Sequence, residues 1–291
     1  MKSSPRERVF GIIFTLPAFI LFLLFTIIPV LYIFYYSVFD FAPGGPMTFV
    51  GLGNFTELFN SKEFWVAFLN NLKFLVVAVP LWTLFPLVIA ILLFEKVKGW
   101  KFFKSAFYFP GILSVTIMST IFRTMFFYDG PVNEVLSLVG IPPIEFWANS
   151  NIAIVLIVIY INWVGFGGAA LMFLSALANF SDSVYEAAIM DGANWGQRLF
   201  KIELPLLRPM FSVVLLLNTI AVFAGLFGSI FLMTSGGPGY STTTLEYLLY
   251  TSAFETHRFG YSSAIAVVLF FMLLGLGILQ SRLTKVSEGE L

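Results

Sequence analysis

Six stretches of this 291-residue chain contain no charged residue, and each is close to the length of a helix that crosses a lipid bilayer. Periodic alternation of apolar and polar residues, which marks a helix or strand at a water-exposed surface, is missing from them. The stretches are residues 9–39, 74–94, 105–122, 151–180, 209–233 and 261–281. The sequence therefore predicts an all-α, polytopic membrane protein with six transmembrane helices.

The composition supports this class and excludes several functions. Hydrophobic residues make up 59% of the chain and charged residues only 11%, against about 25% charged in soluble domains. A net charge of zero argues against a nucleic-acid partner. Without cysteine, and with His257 as the one histidine, the chain offers no disulfide, thiol nucleophile or multi-histidine metal site. We therefore predict no catalytic residue and no metal site.

The distribution of Lys and Arg predicts the orientation of the helices. Twelve of these residues fall at the two termini and in the loops that share their side, while Lys62 and Arg258 fall on the other side. The twelve are Lys2, Arg6, Arg8, Lys96, Lys98, Lys101, Lys104, Arg198, Lys201, Arg208, Arg282 and Lys285. Positive loops stay in the cytoplasm, so both termini are predicted there. The first apolar stretch is too long for a signal peptide and lacks a small-residue cleavage site, which predicts a retained helix.

The most polar connection late in the chain, EAAIMDGANWGQRLFKIELP, occupies residues 186–205. Ser183 and Glu186 have capping-box spacing, Gly192 suits a helix end, and Asn194 can cap a second helix that Pro205 ends. We name residues 182–209 the polar segment. Two capped helices exceed what a connector needs. The alternatives are a solvated amphipathic linker or a docking element for a cytoplasmic partner.

The polar segment resembles the EAA signature of bacterial ABC-importer permeases. The first three residues of that signature, its glycine and its closing I-x-L-P all occur at the expected spacing. NNLKFLVVAVP resembles the start of the permease core, and MTSGGPGYSTTTLEYLLYTSAF resembles the outer loop of the first-permease branch that serves sugar importers, the maltose, glycerol-3-phosphate and multiple-sugar type. The similarity covers nearly the whole chain and implies the type I importer permease fold.

In that family the signature forms a coupling helix that seats on a cytoplasmic ATPase. The resemblance implies that role here for Glu186, Ala187, Ala188, Asp191, Gly192, Ala193, Ile202, Leu204 and Pro205. The chain has no phosphate-binding GxxxxGK[ST] loop, so ATP and Mg²⁺ are expected on the ATPase and no cofactor on this chain.

The family also implies the partners. They are a second, homologous permease in a heterodimer, an ATPase dimer, and an extracellular or periplasmic solute-binding protein. The expected location is the cytoplasmic membrane of a bacterium or archaeon. The implied domain organisation is an N-terminal part (1–66), a permease core (67–282) that contains the polar segment, and a cytoplasmic tail (283–291).

Polar and aromatic side chains within the apolar stretches are candidates for a carbohydrate path, because polar groups in lipid are costly. The candidates are Asn162, Trp163, Asn218, Thr219, Phe223 and Phe227. Alternatively, Asn218 and Thr219 bond a neighbouring helix, and the phenylalanines pack or face lipid. Many family members have an amide or carboxylate where this chain has Ala224 and Gly225. The alternative is therefore that the partner permease lines the carbohydrate path.

The sequence thus predicts a permease that moves a sugar or oligosaccharide by alternating access. The alternative is a secondary, ion-coupled transporter. No Asp or Glu falls within the six stretches, which disfavours proton coupling. An intramembrane enzyme is also disfavoured, because the stretches offer no His, Cys, Asp or Glu.

Overall fold

A computed structural model of the chain describes residues 5–180 and 182–288, and these are mostly helical. The helices, in chain order, are α1 (Pro5–Phe22), α2 (Ile28–Tyr36), α3 (Gly53–Asn60), α4 (Lys62–Phe94), α5 (Trp100–Ile112), α6 (Val115–Met125), α7 (Pro131–Leu138), α8 (Ser150–Ala178), α9 (Asp182–Met190), α10 (Trp195–Arg198), α11 (Leu204–Ala224), α12 (Phe227–Met233), α13 (Leu245–Tyr250) and α14 (Phe259–Glu288). Strand β1 (Phe39–Asp40) pairs antiparallel with β2 (Thr48–Phe49), with Phe39 opposite Phe49. Three π-helical turns extend helices at Leu23–Ile27, Leu199–Glu203 and Thr251–Glu255, and Phe146–Ala148 form a 3₁₀ turn.

The predicted membrane helices are present. Among the described residues, five helices are long and apolar enough to cross a bilayer, and a bent pair brings the number to six if it counts as one span. The five are Ile13–Tyr36, Lys62–Phe94, Ser150–Ala178, Trp195–Ala224 and Phe259–Arg282. The sequence located them because a long apolar run is a local property, although several helices extend beyond the apolar stretch.

The third predicted helix is broken rather than continuous. α5 and α6 meet at an angle of 101°. The break follows Pro110, and Ser114 starts the new helix by accepting a hydrogen bond from the Ile117 N–H at 3.3 Å. A proline that removes a helical hydrogen bond, followed closely by a capping serine, makes two shorter helices more stable than one.

The predicted bounds of the fifth helix, 209–233, are wrong at both ends. The helix begins at Trp195 and ends at Ala224, and α12 is a separate element. Gly225 has ψ near zero, and a Cβ there would lie 3.0 Å from the Ala221 carbonyl oxygen. The Glu246 carboxylate accepts a hydrogen bond from the Phe227 N–H at 2.8 Å and so satisfies the start of α12. This bond could not be predicted from the sequence, because its partners are 19 residues apart.

The chain forms two compact units. The first contains residues 5–61 together with Leu249–Phe271, and the second contains Lys62–Leu248 together with residues 272–288. The predicted domain organisation, with boundaries at 66 and 282, stays a prediction. The predicted tail, 283–291, begins inside α14, and residues 1–4 and 289–291 lie outside the described part of the chain. In the first unit, the Asn54 side-chain amide donates to the Ser37 and Phe39 carbonyls at 2.9 and 2.8 Å.

The second unit is built on the close packing of α4, α8 and α11. One end of this bundle has a hydrophobic cluster formed by side chains of all three helices and of the turn before α11. Its buried members are Leu87, Ala90, Ile91, Ala169, Phe173, Leu177, Leu199, Leu207 and Val214. At Gly165 on α8, a Cβ would lie 2.2 Å from Nε1 of Trp82 on α4, so glycine is what permits this contact.

Candidate functional site

The polar segment folds as α9, a left-handed turn and a second helix. Gly192 has φ +75°, a conformation that costs glycine little, and its N–H bonds the Ile189 carbonyl at 3.0 Å. The predicted helix stop at this glycine is confirmed. A Cβ at Gly192 would meet no atom of the described residues within 4 Å, so a side chain has room there.

The second helix starts with the predicted cap. The Gln197 N–H donates to Asn194 Oδ1 at 2.9 Å, and the Asn194 N–H donates to Gln197 Oε1 at 2.8 Å. This reciprocal capping box is confirmed, and both bonds lie within the polar segment. The segment thus satisfies its own helix end.

Two other predicted boundaries in the polar segment are wrong. α9 already begins at Asp182, so Ser183 lies in its first turn rather than at the cap, and Ser181 lies outside the described residues. Pro205 does not end the second helix, because the π-helical turn Leu199–Glu203 leads directly into α11. Pro205 therefore lies just after the π turn, inside a helix that continues through it. The wider π turn also avoids the clash between a proline ring and the carbonyl four residues before it.

The outer side of the polar segment is exposed and partly apolar. The predicted docking residues there are Glu186, Ala187, Asp191 and Gly192, which are all exposed. The segment also carries large hydrophobic side chains with high exposure: Ile189 58%, Met190 86%, Trp195 49% and Phe200 68%. The chain itself leaves these side chains uncovered, although the segment also carries charged groups that disfavour contact with lipid.

The inner side of the polar segment packs against the helices of the second unit. Leu199 belongs to the hydrophobic cluster, and Leu204 packs against it. The Tyr185 ring lies 5.7 Å from the Phe94 ring at the end of α4. The remaining predicted docking residues are on this side or between the two sides: Ala188 is buried, and Ala193, Ile202, Leu204 and Pro205 are half-buried.

A cluster of charged and polar side chains lies beside these packing contacts. Arg198 Nη2 is 3.8 Å from Glu95 Oε1, just after α4. Glu203 is 0% exposed. Its carboxyl group interacts electrostatically with the side chains of Glu95, Arg198 and Tyr185. Within the described residues, neither Glu203 oxygen has a hydrogen-bond partner. Burial, reinforced by the nearby carboxylates of Glu203 and Glu95, raises the pKa of the Tyr185 hydroxyl, so Tyr185 stays neutral.

Sequence reasoning missed this cluster. Glu203 lies two residues before Pro205, where the segment was expected to end. The structure instead places Glu203 within the continuous helix Trp195–Ala224, so an acidic residue does lie in one of the candidate spans. No local spacing pointed to this cluster, because its members come from separate parts of the chain: Glu95, Tyr185, Arg198 and Glu203.

The candidates for the carbohydrate path do not form one site. Asn218 donates its amide to the Trp82 carbonyl at 2.9 Å and to Thr83 Oγ1 at 3.1 Å, which ties α11 to α4. Thr219 donates to the Leu215 carbonyl of its own helix at 2.8 Å. Phe223 is 1% exposed, and the Phe227 ring stacks on Phe231.

Asn162 and Trp163 instead line an open groove between α4 and α8 with a volume of about 320 Å³. The other lining residues are Leu81, Phe85, Val158, Ile159 and Phe166. The Asn162 amide donates to the Val158 carbonyl at 2.9 Å, while its Oδ1 has no partner among the described residues. The groove therefore presents aromatic and aliphatic side chains, and the buried Asn162 oxygen is not open to it.

Two asparagines that the sequence did not single out hold the loop between α12 and α13. The Asn70 amide donates to the Tyr240 and Thr243 carbonyls at 2.8 and 2.9 Å. The Asn71 amide donates to the Val222 carbonyl at 2.7 Å, and its Oδ1 accepts from the Leu245 N–H at 2.9 Å. Both side chains are almost completely buried. We name residues 235–244 the anchored loop.

Comparison with known proteins identifies the family. No protein-family model matches the chain. It is 31% identical over 293 residues to the probable ABC transporter permease protein YurN of Bacillus subtilis, with 98% of this chain and 99% of that protein covered. It is 35% identical over 244 residues to the multiple sugar-binding transport system permease protein MsmF of Streptococcus mutans, with 82% of each covered. It is 32% identical to the trehalose/maltose transport system permease protein MalF of Thermococcus litoralis, with 98% of this chain and 96% of that protein covered.

Solved structures agree on the fold. A bacterial ABC transporter involved in the import of the acidic polysaccharide alginate matches with a TM-score of 0.82 at 22% identity, over 96% of each chain. A bacterial alginate ABC transporter in complex with an alginate pentasaccharide-bound periplasmic protein matches with a TM-score of 0.80 at 23% identity, also over 96% of each. Nothing among these matches supports the ion-coupled alternative. The chain therefore belongs to the family of ABC-importer permeases, and it is a multi-pass membrane transport subunit rather than an enzyme.

Proposed function

We propose that the chain is one pore-forming half of an ATP-driven importer that moves a carbohydrate by alternating access, and that the polar segment docks on a separate ATPase. The observation that supports docking most strongly is the exposed outer side of the segment. Met190 is 86% exposed and Phe200 68%, and the same segment carries the exposed side chains of Glu186 and Asp191. An apolar surface of this kind, rimmed by charge, fits a protein groove better than water or lipid.

The two sides of the polar segment divide the predicted coupling residues into two roles. Those on the outer side would contact the ATPase, with Glu186 facing a basic group: Glu186, Ala187, Asp191 and Gly192. Those on the inner side, or between the two sides, would keep the segment in place: Ala188, Ala193, Ile202, Leu204 and Pro205. A short rigid helix transmits a displacement better than a loop, because packed elements shift as units.

The energy source would lie outside this chain. The sequence has no phosphate-binding loop, so ATP and Mg²⁺ would bind to a partner ATPase dimer, and this chain would hold no cofactor. The Lys/Arg bias of the sequence supports placing the polar segment and both termini in the cytoplasm and the anchored loop outside, with the chain in the cytoplasmic membrane of a bacterium or archaeon.

Carbohydrate is the substrate class that the relatives favour. The names of MsmF and of the Thermococcus MalF refer to sugars, and the structural neighbours handle alginate. By the same reasoning, we expect a second homologous permease to complete the pore. We also expect a solute-binding protein, because one of the alginate transporter structures includes a periplasmic protein loaded with sugar.

Within this chain, Asn162 and Trp163 are the best candidates for the path. They line the groove between α4 and α8, whereas Asn218, Thr219 and Phe223 are buried. Phe227 packs against other rings. We propose that a sugar contacts the groove as it passes, with the partner permease supplying most of the polar groups.

A charged side chain at Gly192 tests the docking proposal. Gly192→Asp adds a side chain where the chain has open space, so its cost to the isolated subunit is only the left-handed backbone, about 1 kcal/mol. Gly140→Asp is a matched control, because Gly140 also has positive φ and open space but lies outside the polar segment. Both variants should insert in the membrane.

Only Gly192→Asp should lose ATP-driven uptake, and it should no longer retain the ATPase when the complex is purified through this chain. Normal uptake and normal retention of the ATPase in Gly192→Asp would contradict docking at this turn. Equal losses in both variants would show that backbone strain, and not the docking surface, is responsible.

A further inference from the structure

We propose that the β-hairpin after the first membrane span inserts its apolar side chains into the headgroup region at the surface of the lipid bilayer. The hairpin consists of residues 39–52, which contain β1, β2 and the short connection to α3. The inference goes beyond the proposed function, and it holds whether or not an ATPase docks on the polar segment. The partner of the hairpin is a lipid surface.

Charge is missing from most of the hairpin and from the start of α3. The sixteen residues from Phe41 to Thr56 include no Asp, Glu, Lys, Arg or His. At the usual frequency of charged residues in soluble domains, about four would be expected in such a stretch. Each charged side chain would oppose transfer from water into the bilayer surface, so this stretch can make the transfer at low cost.

The hairpin exposes large apolar side chains. Phe49 is 71% exposed and Leu52 69%, while Met47 and Val50 are 37% and 39% exposed. All four lie in β2 or close to it in the chain. Apolar surface of this extent is unfavourable in water, so we expect an apolar environment other than the described residues to cover it.

The hairpin starts where the first membrane span ends. Only Ser37 and Val38 separate the span Ile13–Tyr36 from β1. The buried Asn54 amide donates to the Ser37 and Phe39 carbonyls at 2.9 and 2.8 Å, which ties the start of α3 back to the end of the span. Because Asn54 follows the hairpin directly, the exposed apolar side chains are held near the end of this membrane helix.

The start of the last membrane span lies against the same hairpin. The Gly260 N–H, at the beginning of the span Phe259–Arg282, donates to the Phe41 carbonyl at 3.2 Å. A Cβ at Gly260 would overlap the Phe39 carbonyl oxygen, so glycine permits this close approach. The headgroup region is about 5–7 Å thick on each side of a bilayer, and paired strands are about 5 Å apart. A hairpin held at the ends of two spans therefore falls within this region or next to it.

Aromatic rings connect the first span to the exposed side chains. The Phe39 ring lies 4.7 Å from the Tyr35 ring and 5.3 Å from the Phe49 ring. The Tyr36 ring stacks on the Phe41 ring at 5.0 Å. Tyrosines at the end of a membrane helix are typical of the membrane–water interface. The ring contacts thus lead from an interfacial position of the helix to Phe49.

A protein partner fits the hairpin less well than lipid does. The polar segment also exposes apolar side chains, but it carries charged residues as well, such as Glu186, Asp191 and Lys201. Charged groups steer a protein partner and set its register. Residues 41–56 offer none, whereas insertion into the bilayer surface depends on apolar area and needs no charged group.

A fluorescent label tests the insertion, because the chain has no native cysteine. The transporter is purified through this chain, with Leu52→Cys or Phe49→Cys labelled with nitrobenzoxadiazole, and is placed in phosphatidylcholine nanodiscs. Tyr240→Cys is the control, because Tyr240 is 53% exposed and lies in the anchored loop. Each label is quenched with aqueous iodide, with lipid that carries a nitroxide near the headgroup, and with lipid that carries it at the end of the acyl chain.

The nitroxide near the headgroup should quench the labels at positions 49 and 52 several-fold more than the label at position 240. It should also quench them more than the nitroxide at the end of the acyl chain does, because the hairpin lies in the headgroup region. Iodide should quench the label at position 240 most. Adding Leu52→Asp to Phe49→Cys should weaken quenching by lipid, because a carboxylate opposes insertion, whereas Leu52→Met should preserve it.

Quenching by iodide at positions 49 and 52 that is as strong as at position 240 would overturn the proposal. Protection of these labels from both iodide and the lipid nitroxides would overturn it as well, because another protein would then cover the hairpin. Retention of the ATPase is scored in the same preparations. A failure of the insertion is thereby distinguished from a failure of the proposed function.

Discussion

The anchored loop and the polar segment are attached to the same unit in opposite ways. The anchored loop is fixed by side chains of α4: the Asn70 amide bonds the Tyr240 and Thr243 carbonyls, and the Asn71 oxygen accepts from the Leu245 N–H just after the loop. The polar segment makes its capping bonds internally, at Asn194 and Gln197, and presents large apolar side chains outward. The first is therefore fixed by this chain alone, while the second is a preformed element whose outer side the described residues leave uncovered.

The largest effect on stability is expected from removing an asparagine side chain of α4 at the anchored loop. Asn71→Ala would leave the buried Val222 carbonyl and Leu245 N–H without partners. Each unmade bond costs about 1–3 kcal/mol, so we expect a loss of about 2–6 kcal/mol in the free energy of unfolding. Thermal unfolding in detergent measures it. Asn60→Ala removes an amide that bonds its own exposed helix, so it should change stability little. Similar midpoints for both variants would contradict the anchoring role.

Removing the internal cap should have a smaller and more local effect. Asn194→Ala removes the Oδ1 that accepts from the Gln197 N–H, one of the two bonds of the capping box, which costs about 1 kcal/mol. Amide hydrogen exchange should speed up across Trp195–Arg198 and leave the anchored loop unchanged. Asn149→Ala is the matched control, because Asn149 caps α8 in the same way, with bonds to the Asn151 and Ile152 N–H groups. If Asn194→Ala also loosens the anchored loop, the two regions are not independently held.

An exposed ion pair in the first unit should make the smallest contribution to the free energy of unfolding. Arg258 donates two hydrogen bonds to the Glu57 carboxylate, but both side chains are about half exposed. The bonds from Arg258 lower the pKa of Glu57, so the stabilisation is present above the ordinary glutamate pKa and is lost as pH falls through the lower folded-state value. Water screens such a pair, so Glu57→Gln should cost less than about 1 kcal/mol near neutral pH.

The difference between Glu57→Gln and the unsubstituted chain should shrink to nothing at low pH. Unfolding curves recorded from neutral to acidic pH measure this trend. A difference that grows with acidity would have the wrong sign and would exclude the ion pair as its source.

Local features were predictable from the sequence. The apolar runs located the membrane helices, and the cap at Asn194 and the turn at Gly192 were found because their partners lie within a few residues. Features that depend on distant partners were not. The break after Ala224 depends on Glu246, and the anchors at Asn70 and Asn71 bond residues more than 150 positions away.

The same distinction applies to the candidate site. The motif located the polar segment, but which of its residues face outward followed only from the packing of Leu199 and Tyr185 against the bundle. Pro205 misled the prediction, because a π turn lets a helix continue where a regular α-helix would be disrupted. Glu203 was overlooked for the same reason, since its burial depends on the helix continuing past it.

A photo-activated cross-linker tests the central claim most directly. It is placed at Met190, on the exposed side of the polar segment, or at Tyr240, in the anchored loop; these side chains are 86% and 53% exposed. In membranes that contain the complete transporter and ATP, Met190 should capture the ATPase subunit and Tyr240 should not. Absence of ATPase capture at Met190 while the transporter hydrolyses ATP, or capture at Tyr240 instead, would contradict docking at the polar segment.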